Sequence, residues 1–303
     1  MTDTTESKAA SAAAGRLAPA GVMLLLMTSF FWGVSWPISK FVMSEWPPLS
    51  VRGVTGTTGA ALVALYALAR RIDLRVPADQ WPRLLISAAL NVTLWMVAVG
   101  VAISLMPASE VVIISYTMPV WTALLAWPLL GERMTWLRVI ALVMAFAGLA
   151  VLLGGNGVDA NIAKLPGVLL SLAAAVGFAI GTIFLKKNPL RLPRLSAAAW
   201  QIGAGCAPVA VVGLLIERPD FAALTQGGWA GLAYLTFFQF SVSYVAWFAA
   251  LDRLPASVAT IVTMLVPVIG VIASGIALHE PLGPRQIGAL VLTVVGVLLA
   301  VRP

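Results

Sequence analysis

The chain has 303 residues, 60% of them hydrophobic and 10% charged, with a formal net charge of +7 and a mean hydropathy of +0.97. A water-soluble domain carries roughly 25% charged residues, so this composition excludes a soluble globular fold and predicts a membrane protein whose solvent is the lipid bilayer. The positive balance comes with no basic stripe and no aromatic RNA-binding signature, which argues against a nucleic-acid partner and leaves the loop Lys and Arg as topology signals.

Residues 1–19 are polar and rich in Ala and Ser, with no apolar core before the first basic residues. That is the pattern of a disordered cytoplasmic tail, not of a cleaved signal. Apolar runs of about 20 residues, long enough to cross a bilayer, then predict helices at 20–42, 50–69, 82–105, 108–130, 136–154, 165–186, 195–216, 229–250, 256–278 and 284–301. The expected fold class is an all-α membrane protein of ten transmembrane helices. With the N-terminus inside, 14 of the 19 Lys and Arg fall in cytoplasmic segments. Only Lys40, Arg52, Lys164, Arg218 and Arg285 fall on the other side, so both termini are expected in the cytoplasm and the 155–164 connection outside. The one cysteine, Cys206, can form no internal disulfide.

The fourth and ninth predicted helices share a pattern. PAS, Pro and Glu recur at a constant offset of 148 residues, as Pro107 to Ser109, Pro119 and Glu132 and again as Pro255 to Ser257, Pro267 and Glu280. Upstream the same offset pairs Asn91 with Gln239 and Thr93 with Ser241, and within the pattern it pairs Ser115 with Thr263. The chain therefore reads as two five-helix repeats, 20–154 and 165–301. Five is odd, so the second repeat enters the membrane in the opposite direction to the first. Inverted repeats place a pseudo-two-fold axis in the membrane plane and favour a midplane site exposed alternately to each face. Pro119 and Pro267 each remove a backbone donor in mid-helix, so matched kinks are expected in both halves.

The five-span halves, the FFWGVSWPISK of the first helix (30–40) and the PAS…P…LLGER of the fourth resemble the drug/metabolite transporter superfamily, EamA type, and within it bacterial amino-acid exporters. The second half departs from that pattern in carrying HEP where the first has GER. The resemblance implies a basket of ten helices around a central cavity, lined by helices one to four and six to nine, with the fifth and tenth outside. It implies a bacterial inner-membrane location, a small-molecule substrate such as an amino acid, and a monomer or weak homo-oligomer.

Several polar and aromatic side chains inside the spans are candidates to line such a cavity, since an unpaired polar group costs several kcal/mol in hydrocarbon. Trp32 and Trp36 share a helical face with Lys40 one turn on, either an aromatic wall ending in a cation for a substrate carboxylate or interfacial anchors with a snorkelling lysine. Asn91 with Trp95, and Gln239 with Ser243 and Trp247, repeat the i, i+4 arrangement in the third and eighth helices. Tyr116, Tyr244, Ser115 and Thr263 join them, and Glu110 is a possible coupling group, although its repeat mate is Val258. Glu132 and Glu280 fall at helix ends, where capping and loop anchoring are the expected roles. Gly53, Gly56, Gly59, Gly177 and Gly181 suit close helix approach.

The sequence holds no GxxxxGK[ST] phosphate loop, no HExxH and no aspartate pair at membrane depth, and its one histidine, His279, sits at a loop edge without a ligand cluster. A secondary transporter without cofactor or metal, and not an enzyme, is therefore the expected function. The favoured substrates are aromatic and other neutral amino acids, with another small solute such as a nucleotide sugar or a quaternary amine as the alternative and an intramembrane enzyme as a distant one.

Overall fold

The computed structural model describes residues 19–132, 135–153, 157–254 and 256–300. The expected tail over 1–18, residues 154–156 at the start of the 155–164 connection, and Pro255 of the second PAS turn lie outside them. The described chain is helical. Its first half comprises α1 (Pro19–Glu45), α2 (Pro48–Ala69), α3 (Ala78–Leu105), α4 (Ala108–Leu130) and α5 (Trp136–Leu153). The second comprises α6 (Gly157–Lys187), α7 (Arg194–Glu217), α8 (Gln226–Leu251), α9 (Ala256–Thr263, then Leu265–Leu278) and α10 (Pro284–Ala300). All but α5 and α10 are long and apolar enough to cross a bilayer; those two are shorter apolar helices.

The burial pattern is that of a molecule dissolved in lipid. Large apolar side chains such as Met23, Leu215, Ile216 and Ile276 face outward, while Ser29, Ser39, Thr55, Ser171 and Ser243 are buried. Where water does not surround the helices, apolar side chains gain nothing by pointing inward and small polar ones lose by pointing outward. Close packing must then come from small residues. At Gly53 an added Cβ would run into the Ala210 backbone, so α2 and α7 touch main chain to main chain there.

The two repeats are visible in that packing. Thr93 on α3 donates to Gly205 O on α7 at 2.8 Å, and its mate Ser241 on α8 shares its hydroxyl proton between Thr236 O at 2.9 Å and Gly59 O on α2 at 3.3 Å. Beneath Val92 lies Gly205, and beneath its mate Phe240 lies Gly59; a Cβ on either glycine would collide with the residue above it. α5 and α10 pair with each other, Gly148 against Ala289 and Gly296 against Ala141.

The inversion follows from the ends of α4 and α9. α4 begins where Glu280 meets Ala108 and Ser109 and runs to Gly131 and Glu132. α9 ends at His279, next to Glu280. The matched glutamates thus mark opposite faces of the bundle, called here the Glu280 face and the Glu132 face. Gly131 and His279 correspond by the same offset, and both cap their helices in the left-handed conformation, with φ of 70° and 53°. Glycine takes that conformation freely, whereas histidine meets a clash between its Cβ and the following carbonyl.

Candidate functional site

The helical period widens at one matched place in each half. Residues Ala89–Thr93 of α3 and Leu235–Val242 of α8 form π-helical turns, and these turns carry Asn91 and Gln239. A π-turn adds a residue per turn, frees carbonyls and re-aims side chains, a device often found at functional sites. The backbone carbonyl of Gln239 accepts the Trp32 Nε1–H at 3.0 Å. Asn91 Oδ1 and Gln239 Oε1 are buried and accept no hydrogen bond. Each unpaired amide oxygen costs about 1–3 kcal/mol, so the fold carries two unused acceptors. On α6, Gly181 gives the first amide its space, since a Cβ there would overlap Asn91 Oδ1.

Both amides line one cavity between the halves. Its inner lobe, of about 160 Å³, is walled by Trp32, Trp36, Trp95 and Tyr116 around Asn91 and Gln239, with Ser35, Arg52, Val92, Met96, Met118, Phe178, Phe240 and Tyr244 completing it. Trp32, Tyr116, Met118, Phe178 and Tyr244 also line an outer lobe of about 640 Å³, which continues past Trp247 and Thr263 to Glu132, Arg138 and Lys186 at the Glu132 face. The rings contact one another: Trp32 lies 5.5 Å from Tyr244 and 5.8 Å from Trp247, Trp36 lies 6.4 Å from Tyr116, and Trp95 lies 5.6 Å from Phe178. The result is an aromatic sleeve with polar groups set into it, the usual make-up of a small-molecule site.

α4 and α9 break beside this cavity. α4 is interrupted at Tyr116 and Thr117 and α9 at Met264, two to three residues before Pro119 and Pro267. The prolines lack the N–H that would close the turn on the carbonyl four residues back, and Thr117 donates both its N–H and its hydroxyl to Ile114 O at the break. At the mouth, Glu132 accepts from Lys186 Nζ at 2.6 Å and from Arg138 at 2.9 Å. Lys186 first, and then Arg138, hold its carboxyl below the usual carboxylate range.

Of the residues singled out from sequence, Trp32, Trp36, Asn91, Trp95, Tyr116, Gln239, Tyr244, Trp247 and Thr263 meet at the cavity. Lys40 does not. Its ammonium donates to Ile103 O and Met106 O, satisfying carbonyls at the C-terminal end of α3 on the Glu280 face. Ser115 is buried away from the cavity lining, and Ser243 turns back to donate to Phe238 O, a carbonyl of the π-turn. Glu110 is 2% exposed and bound through both oxygens to Lys164 Nζ, at 2.8 and 2.9 Å, which ties α4 to α6 outside the cavity. Glu280 caps α4, whereas Glu132 is taken up by cations.

Sequence reasoning missed Arg52, Ser35, Met96, Met118 and Phe178. Arg52 was counted among the outer-side charges at the start of the helix expected over 50–69, but α2 begins at Pro48 and carries it to the cavity lining. Among the described residues no cluster of His, Cys, Asp or Glu could hold a metal ion.

Comparison with known proteins returns the same architecture. The model of the EamA-like transporter family matches residues 19–154 and again 165–302. The uncharacterized transporter YvbV of Bacillus subtilis is 32% identical over 277 residues, 91% of this chain and 90% of that protein. A probable amino-acid metabolite efflux pump of Salmonella typhimurium is 27% identical over 288 residues, 92% and 93% of the two chains. A solved crystal structure with 21% identity superposes at a TM-score of 0.67, covering 92% of this chain and 97% of the other.

Proposed function

The chain belongs to the EamA-like transporter family, and from that premise we propose that it is a secondary transporter of a bacterial inner membrane that exports aromatic and other neutral amino acids. The observation that carries this reading is the pair of unpartnered amide oxygens, Asn91 Oδ1 and Gln239 Oε1, at repeat-matched π-turns of one aromatic-lined cavity. Each is an acceptor for an ammonium N–H, and the surrounding indoles offer apolar area and cation–π attraction. Two halves of opposite sense, 20–154 and 165–301, rock about this site and expose it to each face in turn. The Lys and Arg distribution puts the Glu132 face in the cytoplasm, so the conformation here is inward-open, ready to load from the cell.

Counterflow in proteoliposomes tests the substrate. A panel of radiolabelled amino acids, with choline and a nucleotide sugar as the competing solutes, should show exchange of at least one aromatic amino acid and none of the other two. Exchange of choline alone replaces the reading with a quaternary-amine transporter. Single-cysteine labelling in a Cys206→Ser background tests the orientation: Lys187→Cys should react with an impermeant maleimide from the cytoplasmic side and Ser44→Cys from the outside. The reverse pattern would invert the assigned topology.

A further inference from the structure

Arg52 is the cation of the inner lobe, and among the described residues no acceptor meets its Nε. The residue is 4% exposed and lines the cavity with the two amides. Its Nε is buried without an acceptor, and among the described residues its guanidinium forms no hydrogen bond or ion pair. The carboxylate that caps α2's first turn, Glu217, is committed to the N–H groups of Leu49 and Ser50 and to the Ser50 hydroxyl. Among the described residues no Asp or Glu lines the inner lobe. The stem of the arginine passes over Gly100, where a Cβ would stand 3.1 Å from Arg52 Cγ, so α3 leaves it a path.

A guanidinium presents five donors in a planar fork shaped for a carboxylate, and burying its charge unpaired is among the costliest things a fold can do. The same lobe is lined by Asn91 and Gln239, whose side-chain oxygens accept from no donor among the described residues. An unpaired guanidinium and two unpaired amide oxygens on the residues of one lobe are the complement of a zwitterion. We infer that Arg52 is the binding site for the carboxylate of the transported solute, with Asn91 Oδ1 and Gln239 Oε1 receiving its ammonium. This inference rests on the amino-acid reading above and narrows it: the substrate is a small carboxylic acid, and its free carboxylate is required. It also gives the role foreseen for Lys40 to a different cation, one turn inside a neighbouring helix.

Binding to the full chain in nanodiscs, measured by titration calorimetry, decides it with two matched pairs: L-phenylalanine against L-phenylalaninamide, and hydrocinnamate against phenethylamine. Chloride is titrated as a fifth probe. Wild type should bind the carboxylate member of a pair about tenfold or more tighter than its partner, the scale of a charge-assisted hydrogen bond. In Arg52→Gln that preference should vanish while the carboxylate-free member binds as before, and Arg52→Lys should retain part of it. Equal binding within both pairs in wild type, or a preference that persists in a folded Arg52→Gln, overturns the assignment.

So does Arg52-dependent binding of chloride that no carboxylate displaces, the mark of an inorganic-anion site. Should Arg52→Gln not fold, the wild-type pairs and Arg52→Lys decide alone. Hydrocinnamate discriminated through Arg52 with phenylalanine unbound leaves this site standing and removes the amino-acid reading. Phenylalanine bound no better than its amide does the reverse, and failure to bind any carboxylate removes both.

Discussion

Glu280 and Glu132 hold the same place in the two repeats and do opposite things. On the Glu280 face three carboxylates each reach a helix N-terminus in the other half of the chain. Glu280 accepts from Ala108 and Ser109, Glu217 from Leu49 and Ser50, and Glu45 from Thr225 at the start of α8. Helix N-termini carry unpaired N–H groups and a partial positive charge, so each contact is charge-assisted and each stitches one repeat to the other. On the Glu132 face the matched carboxylate instead holds Arg138 and Lys186 at the mouth of the cavity, Arg194 pairs with Asp252, and Gln80 accepts from the Arg191 N–H. A near-symmetric sequence thus yields one laced face and one open face, and the matched glutamates differ in that Glu280 is paired with a helix end and Glu132 with cations.

The largest effect that would break this comparison is expected at Glu280. Glu280→Ala strands two helix N–H groups and the Ser109 hydroxyl, a loss of about 3 kcal/mol on the summed worth of such bonds. Glu132→Ala removes only partly exposed ion pairs, worth about 0.5 kcal/mol. Thermal unfolding in detergent, together with maleimide access to a cysteine at the buried Met106 beside the α4 cap, should show the first variant loosened and the second near wild type. Equal shifts would erase the distinction between the faces.

Glu110→Gln comes next, at about 2 kcal/mol, because it breaks a pair with one buried member and one partly exposed. Since Glu110 lies outside the cavity lining, the folded variant should keep most of its counterflow, and a pH gradient should change the rate little in either protein. Complete loss of exchange in a folded Glu110→Gln would make the carboxylate part of the transport step.

His279→Gly should stabilise by about 1 kcal/mol, by relieving a left-handed histidine at the position where the first half has Gly131. Unfolding temperature measures it, and an unchanged or lower value would mean that the second half does not share the cap geometry of the first.

The smallest expected effect is the pH response of the open mouth. Lys186 and Arg138 depress the Glu132 carboxyl, so its ion pairs are intact above the ordinary carboxylate pKa of 4.5 and are lost as pH falls through the depressed folded value. Between pH 8 and pH 6 the stability difference between wild type and Glu132→Gln should therefore stay flat, and a steep slope in that window would place another titrating group there.

Much of this was legible in the sequence because lipid leaves few options. An apolar run of some 20 residues becomes a spanning helix, and the helix starts at 48, 108 and 284 lie within two residues of where hydropathy placed them. Asn91 and Gln239 stood out because an amide inside such a run needs a reason. Less legible were features that depend on backbone state or on a neighbour's free groups. The π-turns leave no compositional trace. Lys40 follows Trp36 by one helical turn, yet open carbonyls at the end of α3 capture it. Arg52, two residues into the helix expected over 50–69, read as an outer-side charge, because sequence alone does not show that its side chain turns to the cavity.

The most direct measurement is counterflow of labelled aromatic amino acids by wild type, Asn91→Ala and Gln239→Ala in matched proteoliposomes, with melting temperatures recorded alongside. The matched amides predict exchange in wild type, a fall of about tenfold in each variant, the scale of a hydrogen bond to a charged group, and melting temperatures that do not drop, since each lost oxygen had no partner in the fold. Wild-type exchange rates in both variants would contradict the account, leaving the two amides as inert residents of a cavity that binds its solute elsewhere.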